Sequence, residues 1–202
     1  MLLSNEQLDI LKEIMNMGIG KSSALLNQMV NSHVTLNVPT INAGHSELIK
    51  TKYQSVGEER LSAVRMGFHG KFSGISEIVF PSQSALNLVS VLTGEKIGSP
   101  DFDSLKQGTL SEVSNILLNS VMGAVSNMLN LHFDFDLPLY SEDKISNLLS
   151  LDTGENPVIL FGGANFVIEQ LQIEGDIIFV LEIAAFKNLL VILNRMLAAN
   201  DE

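Results

Sequence analysis

The chain has 202 residues, of which 46% are hydrophobic and 17% are charged, and its formal net charge is −11. This composition is typical of a globular protein with a substantial core and excludes an intrinsically disordered chain. The 12 basic residues form no cluster against the 23 acidic ones, which argues against a nucleic-acid or anionic-membrane surface. The lack of cysteine excludes disulfides, thiolate zinc sites and a cysteine nucleophile.

No targeting or membrane-spanning segment is recognisable in the sequence. The first residues carry neither a basic region nor an apolar run of useful length. The most apolar stretch, residues 158–167, contains two glycines and an asparagine and is too short to span a bilayer. We therefore expect a cytoplasmic protein without membrane insertion.

The first half predicts a long helix, strands and a shorter helix. Ser4 and Gln7 form a capping-box pattern that opens the long helix, and apolar residues then recur at three- and four-residue steps. Gly18 and Gly20 are costly inside a helix, so we expect another part of the molecule or a partner to approach closely there. The predicted elements are a helix over 4–30, a strand over 33–39, a hairpin of strands over 60–69 and 72–80, and a helix over 83–92.

The second half repeats this order of elements. Its long helix is predicted to begin with Asp103 or Ser104 as the cap. The predicted elements are a helix over 103–130, a short strand over 132–138, a weakly helical linking segment over 140–151, paired strands over 158–170 and 172–182, and a helix over 184–199. The repeated order indicates an internal duplication, with repeat 1 over 1–100 and repeat 2 over 101–202. We predict one α+β domain of pseudo-twofold symmetry, with two long helices packed on a largely antiparallel, six-stranded sheet.

A Glu/Asn pair occurs at the same place in both predicted long helices. The asparagines, Asn16 and Asn115, are 99 positions apart, and each is followed 23 positions later by a proline (16 to 39, 115 to 138). Residues at i, i+4, i+7 and i+11 of a helix share one face. The two stripes are Asp9, Glu13, Asn16 and Gly20 in the first helix, and Gly108, Glu112, Asn115 and Asn119 in the second.

Solvent-facing polarity is the ordinary explanation of a single Glu/Asn pair. The recurrence of the pair weighs against it here, as does the use of asparagine, a poor helix former, in mid-helix. An amide donates and accepts hydrogen bonds, so it can orient a water for in-line attack, and a carboxylate can act as a base or bind a partner's cation. One carboxylate and one amide do not make a metal site. The pair therefore predicts phosphoryl hydrolysis in which a partner supplies the metal.

At these residues the sequence resembles the CheC/CheX/FliY family of bacterial chemotaxis phosphatases, whose pattern is Asp/Ser-x3-Glu-x2-Asn-x22-Pro. Asp9, Glu13, Asn16 and Pro39 match all four positions. The second copy matches three, with Gly108 where the pattern has aspartate or serine. The resemblance covers essentially the whole chain, and two motifs in one chain resemble the CheC type most.

The resemblance implies dephosphorylation of phospho-aspartate on a CheY-like response-regulator receiver domain. Asn16 and Asn115 would place the attacking water, and Glu13 and Glu112 would pair with the active-site lysine of the receiver. The receiver would bring Mg²⁺, so no cofactor or metal of the protein's own is expected. The deamidase CheD is a further candidate partner, and the sequence carries no signal for the oligomeric state.

The two proposed sites differ in their flanking residues. Asp9 and Gly20 belong to the substrate-facing surface of the first site, where Gly20 would leave room for an incoming loop. The second site has Gly108 and Asn119 in these places, so we predict that the first site is the stronger one. The alternative is a catalytically silent binding module of the same fold, either an adaptor for CheD or a relative of the switch protein FliM.

Two further patterns carry less weight. Residues 18–22 resemble the end of a P-loop, but the leading glycine is missing and the stretch lies in a predicted helix. His132, Asp134 and Asp136 share one face of a strand and could bind a metal. Because the equivalent residues of the first half are also polar, a solvent-facing strand is favoured, and no metal site is predicted.

Overall fold

The structure, a computed structural model, describes residues 3–30, 33–45, 47, 51–53, 60–148, 157–168 and 171–200. In chain order its elements are helix α1 (Asn5–Val30), strands β1 (Val34–Gly44), β2 (Arg60–Gly70) and β3 (Gly74–Phe80), helices α2 (Ser82–Thr93) and α3 (Phe102–Met128), strands β4 (Phe133–Phe135) and β5 (Leu139–Lys144), the single-turn helix α4 (Ile145–Leu148), strands β6 (Val158–Ile168) and β7 (Leu171–Leu181), and helix α5 (Ile183–Asn200). The predicted α+β class is confirmed. Within the described ranges, no helix combines the length and apolar character needed to cross a membrane.

The sheet contains seven strands among the described residues, so the predicted number of six is wrong. The strand order is β1-β6-β7-β3-β2-β4, with β5 also paired to β2, and these pairings are antiparallel. The additional strand is β5, which lies in the segment predicted to be a weakly helical link. Pro138 separates β4 from β5, because proline cannot donate to the hydrogen-bond ladder, and pairing resumes directly after it.

The predicted N-terminal cap is confirmed for α1 and wrong for α3. The backbone N–H of Ser4 donates to Gln7 Oε1 at 2.8 Å, and the N–H of Gln7 donates to Ser4 Oγ at 3.2 Å, which confirms the capping box. Helix α3 instead begins at Phe102 with Asp101 as its N-cap, so both residues predicted as caps lie inside the helix.

From either edge inward, the sheet has the same kinds of strand: first the strand that follows the long helix of one half, then the two paired strands of the other half. Strands β1, β6 and β7 lie on one side of the centre, and β4 with β5, β2 and β3 lie on the other. At the centre Ile78 of β3 lies opposite Ile177 of β7, and these residues are 99 positions apart, like the motif asparagines. A duplicated chain would produce this arrangement; the duplication itself, with its boundaries, stays a prediction.

The two long helices pack closely against each other above one face of the sheet. A Cβ atom on Gly18 would lie 2.5 Å from Val121 Cα and 2.8 Å from the carbonyl oxygen of Ser120, so α3 can approach only because residue 18 is glycine. The expected close approach is thus confirmed for Gly18. Gly20 is exposed, and a Cβ there would meet nothing within 4 Å, so no part of the described chain uses the space beside it.

A smaller core covers the opposite face of the sheet. Its buried members are Tyr53, Leu61, Ala63, Val79, Ile145, Leu148, Ile159, Phe161, Ile178 and Val180. Side chains two positions apart on a strand share a face. Glu77 and Asp176, which are also buried, therefore lie on the face of Val79 and Ile178, on the two central strands.

Candidate functional site

The two Glu/Asn pairs lie on outward faces of α1 and α3, as the stripes predict. Glu13 and Glu112 are exposed, and neither forms an ion pair or a side-chain hydrogen bond within the part of the chain that the structure describes. Asn16 and Asn115 are half-buried. Each helix therefore presents a carboxylate to solvent one turn before an amide.

Asn16 closes a hydrogen-bonded ring with the backbone of Val38. The N–H of Val38 donates to Asn16 Oδ1 at 2.8 Å, and Asn16 Nδ2 donates to the carbonyl oxygen of Val38 at 3.0 Å. Nδ2 also donates to the carbonyl oxygen of Lys12 at 2.9 Å. Both amide hydrogens are thus engaged, and only one lone pair of Oδ1 stays available.

The ring explains the fixed spacing of asparagine and proline in the first motif. Pro39 cannot donate to a neighbouring strand, and the pairing of β1 with β6 is interrupted at Val38 and Pro39. Without another partner, the buried backbone groups of Val38 would be left unpaired, which is costly. The side chain of Asn16 replaces the missing strand at this bulge.

Asn115 occupies the equivalent position in α3 without the equivalent contact. Its Oδ1 accepts a hydrogen bond from Asn119 Nδ2 at 2.6 Å, and among the described residues its own amide hydrogens have no acceptor. Leu137, the counterpart of Val38, is 84% exposed, whereas Val38 is completely buried. The amide of the second motif is therefore open to a partner.

A difference in volume on the neighbouring strands accompanies this asymmetry. A Cβ atom on Gly162 of β6 would lie 3.0 Å from Val38 Cγ1, so the glycine gives the valine its room. At the matching place in the pairing of β5 with β2 stands Val64, which is fully buried. A valine there leaves less room for the bulge residue, and Leu137 points to solvent.

The second pair also lies beside a groove between the end of α2 and the first half of α3. The groove has a volume of about 370 Å³ and is lined by Leu92, Thr93, Ser104, Leu105, Gly108, Thr109 and Glu112. A Cβ on Gly108 would meet nothing within 4 Å. The glycine that departs from the family pattern therefore widens the recess next to Glu112, whereas the first motif has Asp9 in this place.

The histidine and aspartates at the edge of the sheet do not converge. His132 Nε2 and Asp134 Oδ1 are 3.9 Å apart on side chains that are almost fully exposed, while Asp136 pairs with His69 at 3.1 Å. Among the described residues, no group of three histidine or acidic side chains is placed to hold a metal ion.

The ionisable groups that the fold perturbs most lie on the other face of the sheet. Burial raises the pKa of Glu77 to about 7, although Arg65 at 3.4 Å lowers it. Burial, followed by the neighbouring Asp176, raises the pKa of Tyr53. The Tyr53 hydroxyl donates to Asp176, which also accepts a hydrogen bond from Lys52. Tyr53, Glu77 and Asp176 are buried, so we interpret them as structural rather than as part of a solvent-facing site, while the Lys52 side chain lies at the surface.

Two features of the site were not predicted from the sequence. One is the Val38 backbone as the partner of Asn16, which the constant distance to proline could have indicated. The other is the bond between Asn119 and Asn115, for which the spacing of four residues on a helix was the available signal. The catalytic roles of Glu13, Asn16, Glu112 and Asn115 stay predictions.

Comparisons with known proteins agree with this architecture. The CheC-like family model matches residues 6–43, which contain the first motif and its proline. The CheY-P phosphatase CheC of Bacillus subtilis (strain 168) is 25% identical over 156 residues, covering 73% of this chain and 72% of that protein. The crystal structure of Thermotoga maritima FliY matches with a TM-score of 0.75 at 15% identity, covering 96% of this chain and 99% of the chain in that structure. The FliM middle domain from H. pylori matches with a TM-score of 0.62 at 14% identity, covering 94% and 99%.

The chain has the α+β fold seen in FliY and in the FliM middle domain. Within that fold, the family match at the first motif and the identity to CheC confirm the resemblance to CheC-like proteins.

Proposed function

We propose that the protein is a cytoplasmic phosphatase that hydrolyses phospho-aspartate on a CheY-like receiver domain in bacterial chemotaxis. The similarity to a CheY-P phosphatase supports this substrate class. The observation that carries the proposal is the pair on α3, where the exposed Glu112 has no partner among the described residues and the amide hydrogens of Asn115 have no acceptor there. The Glu112 carboxylate and the N–H groups of Asn115, one turn apart beside a groove, are accessible to a protein substrate.

Each member of the pair has a chemical role in this proposal. Asn115 orients a water in line with the phosphorus, so that the new bond to the water oxygen forms as the bond to the aspartyl oxygen breaks. Glu112 binds the active-site lysine of the receiver and thereby aligns α3. An acyl phosphate is intrinsically labile, so positioning of the water is a sufficient catalytic device. The receiver supplies the Mg²⁺, and the protein needs no cofactor of its own.

The contacts favour the second site over the first. Water placement by Asn16 would use its one remaining lone pair or would require its amide to leave the backbone of Val38. The first site, formed by Glu13 and Asn16 with Asp9 and Gly20 beside them, would then contribute less than the second. This order is the reverse of the one that the flanking residues suggested.

A non-catalytic binding module is the second candidate function. The ring between Asn16 and Val38 favours it, because the ring explains one motif asparagine without any catalysis. In that case the exposed faces of the long helices would bind a partner such as CheD or a component of the flagellar switch.

Phosphate release from a receiver domain separates the two candidates. A CheY receiver, phosphorylated with acetyl phosphate in the presence of Mg²⁺, is incubated with the wild type, Glu13→Ala/Asn16→Ala, Glu112→Ala/Asn115→Ala and the four-fold variant. We expect the second double variant to lose about tenfold or more of the rate, and the first double variant to lose less. Asn127→Ala, at an exposed position of the same helix, should match the wild type.

The opposite result is equally clear. A wild-type protein that binds the receiver or CheD without accelerating phosphate release would establish the binding module. Equal rates for the wild type and the four-fold variant would exclude both motifs as catalytic sites.

A further inference from the structure

Among the described residues, Asn119 is the one side chain that forms a hydrogen bond with the motif asparagine of the second site. It lies four residues after Asn115 on the exposed face of α3, and its Nδ2 donates to Asn115 Oδ1 at 2.6 Å. In the first motif the same position is Gly20, which has no side chain to offer. The residue that departs from the pattern of the first motif is therefore in direct contact with the proposed water-positioning group.

In this hydrogen bond the Asn115 amide is held with its oxygen toward Asn119. An asparagine amide looks the same in shape when it is turned by half a rotation, and only its hydrogen-bond partners determine its orientation. A donor from Asn119 fixes Oδ1 on the side toward the next helical turn. Oδ1 keeps a second lone pair for a water hydrogen, and both N–H groups of Asn115 stay free for oxygen atoms of the substrate.

We infer that Asn119 is a positioning residue of the second site, which sets the orientation of the Asn115 amide and so the geometry of the attacking water. The inference rests on the proposed phosphatase function. Asn119 acts through Asn115 and need not touch the substrate. In the first motif the Val38 backbone holds the amide of Asn16. Asn115 lacks such a backbone partner, and Asn119 takes this role.

The test compares three substitutions of Asn119 in a Glu13→Ala background, which weakens the first site without touching the Asn16 ring. Asn119→Ala removes the donor and leaves the amide free to turn. Asn119→Asp has the same shape but can only accept, so it should draw the N–H₂ group of Asn115 toward itself and reverse the amide. Asn119→Ser keeps a donor on a shorter side chain and tests rescue.

We expect the turnover number to change and the Michaelis constant to stay nearly constant. Asn119→Ala should lower kcat for a phosphorylated CheY receiver by about threefold to tenfold, as expected when a neutral hydrogen bond no longer orients the reacting group. Asn119→Asp should lower kcat more than Asn119→Ala does, and Asn119→Ser should retain more activity than alanine. The dissociation constant for the receiver carrying beryllofluoride and Mg²⁺ should stay within about twofold for the alanine and serine variants, since the hydrogen bond is internal.

Asn127→Asp is the matched control for the added charge, because it makes the same substitution at an exposed position of the same helix. Thermal unfolding of each variant checks that α3 is intact, and if the aspartate variant is unfolded, the alanine and serine variants decide. Unchanged kcat in Asn119→Ala, a change in KM alone, or an equal loss in Asn127→Asp would overturn the inference. A wild type without phosphatase activity would instead refute the proposed function, so the two failures are distinguishable.

Discussion

The motif asparagine of α1 holds a strand bulge through its side-chain amide, whereas the motif asparagine of α3 does not. Asn16 makes three hydrogen bonds to backbone groups, two of them to the buried residue Val38. Asn115, which is half-buried, accepts one bond from the exposed side chain of Asn119. The same residue type at the same place in the two long helices thus has a structural role in one and an open amide in the other.

This difference predicts unequal effects of alanine on stability. Asn16→Ala should lower the free energy of unfolding by about 1 to 3 kcal/mol, because it leaves the buried N–H and carbonyl groups of Val38 unpaired. Asn115→Ala should change it by less than about 0.5 kcal/mol, because the affected groups are near solvent and alanine is the better helix former. Urea denaturation measures both free energies of unfolding. Equal losses of stability in the two variants would contradict the structural role assigned to the ring between Asn16 and Val38.

At the scale of the elements, the bulges in β1 and between β4 and β5 decide how each motif is presented. Both bulges contain a proline, and in both the neighbouring residue leaves the strand ladder. In the first, Gly162 leaves room for the side chain of Val38, and Asn16 of α1 forms hydrogen bonds with the Val38 backbone. In the second, Val64 takes the matching place, and Leu137 stays exposed together with Leu139.

The packing of α1 on α3 gives a prediction about two glycines on one helix. Gly18→Ala should destabilise the protein by about 1 to 3 kcal/mol, because the new Cβ would meet the backbone of α3 at Val121 and Ser120, which cannot move as a side chain can. Gly20→Ala is the matched control, since the same substitution two residues later meets open space. It should stabilise the helix by up to about 1 kcal/mol.

Thermal or urea unfolding of the two glycine variants measures these effects. Similar losses of stability in Gly18→Ala and Gly20→Ala would show that the two long helices do not pack as closely as described.

At the scale of the whole molecule, two carboxylates are enclosed on the face of the sheet away from α1 and α3. Asp176 is hydrogen-bonded to Lys52 and Tyr53, while Glu77 contacts Arg65 at a looser 3.4 Å. One oxygen of Glu77, Oε2, is buried and has no hydrogen-bond partner among the described residues. Burial is the main reason why the pKa of Glu77 rises, and the contact with Arg65 compensates the charge only in part.

The raised pKa predicts a specific dependence of stability on pH. The pKa of Glu77 is about 7 in the folded protein against an ordinary value of 4.5, so the folded state holds its proton more tightly than the unfolded state does. The stabilising contribution is complete below about pH 4.5 and is lost as the pH rises through 7. Glu77→Gln removes this dependence, so its stability relative to the wild type should be up to about 3 kcal/mol higher at pH 8 than at pH 5.

Urea denaturation of both proteins at pH 5 and pH 8 measures the effect. Glu174→Gln, at an exposed position of β7, is the control and should leave the pH dependence of the wild type unchanged. A constant difference between Glu77→Gln and the wild type at the two pH values would contradict the raised pKa.

The sequence by itself determined the elements whose signals are local. The capping box at Ser4 and Gln7, the helix that ends at Gly94 and the outward stripe of Glu13 and Glu112 depend on residues within a few turns, and periodicity and capping chemistry report them. The doubled motif likewise indicated the CheC-like resemblance, because it needs only residue types at fixed spacing.

Only the tertiary structure decided how the two motifs differ. β5 was missed because its strand character comes from pairing with β2 rather than from its own alternation. Val38, the partner of Asn16, fits beside Gly162 from a distant part of the chain, whereas Val64 stands at the matching place of the second bulge, where Leu137 is exposed. The spacing of residues along one helix does not reveal these neighbours, because the sheet brings them to the bulge from distant parts of the chain.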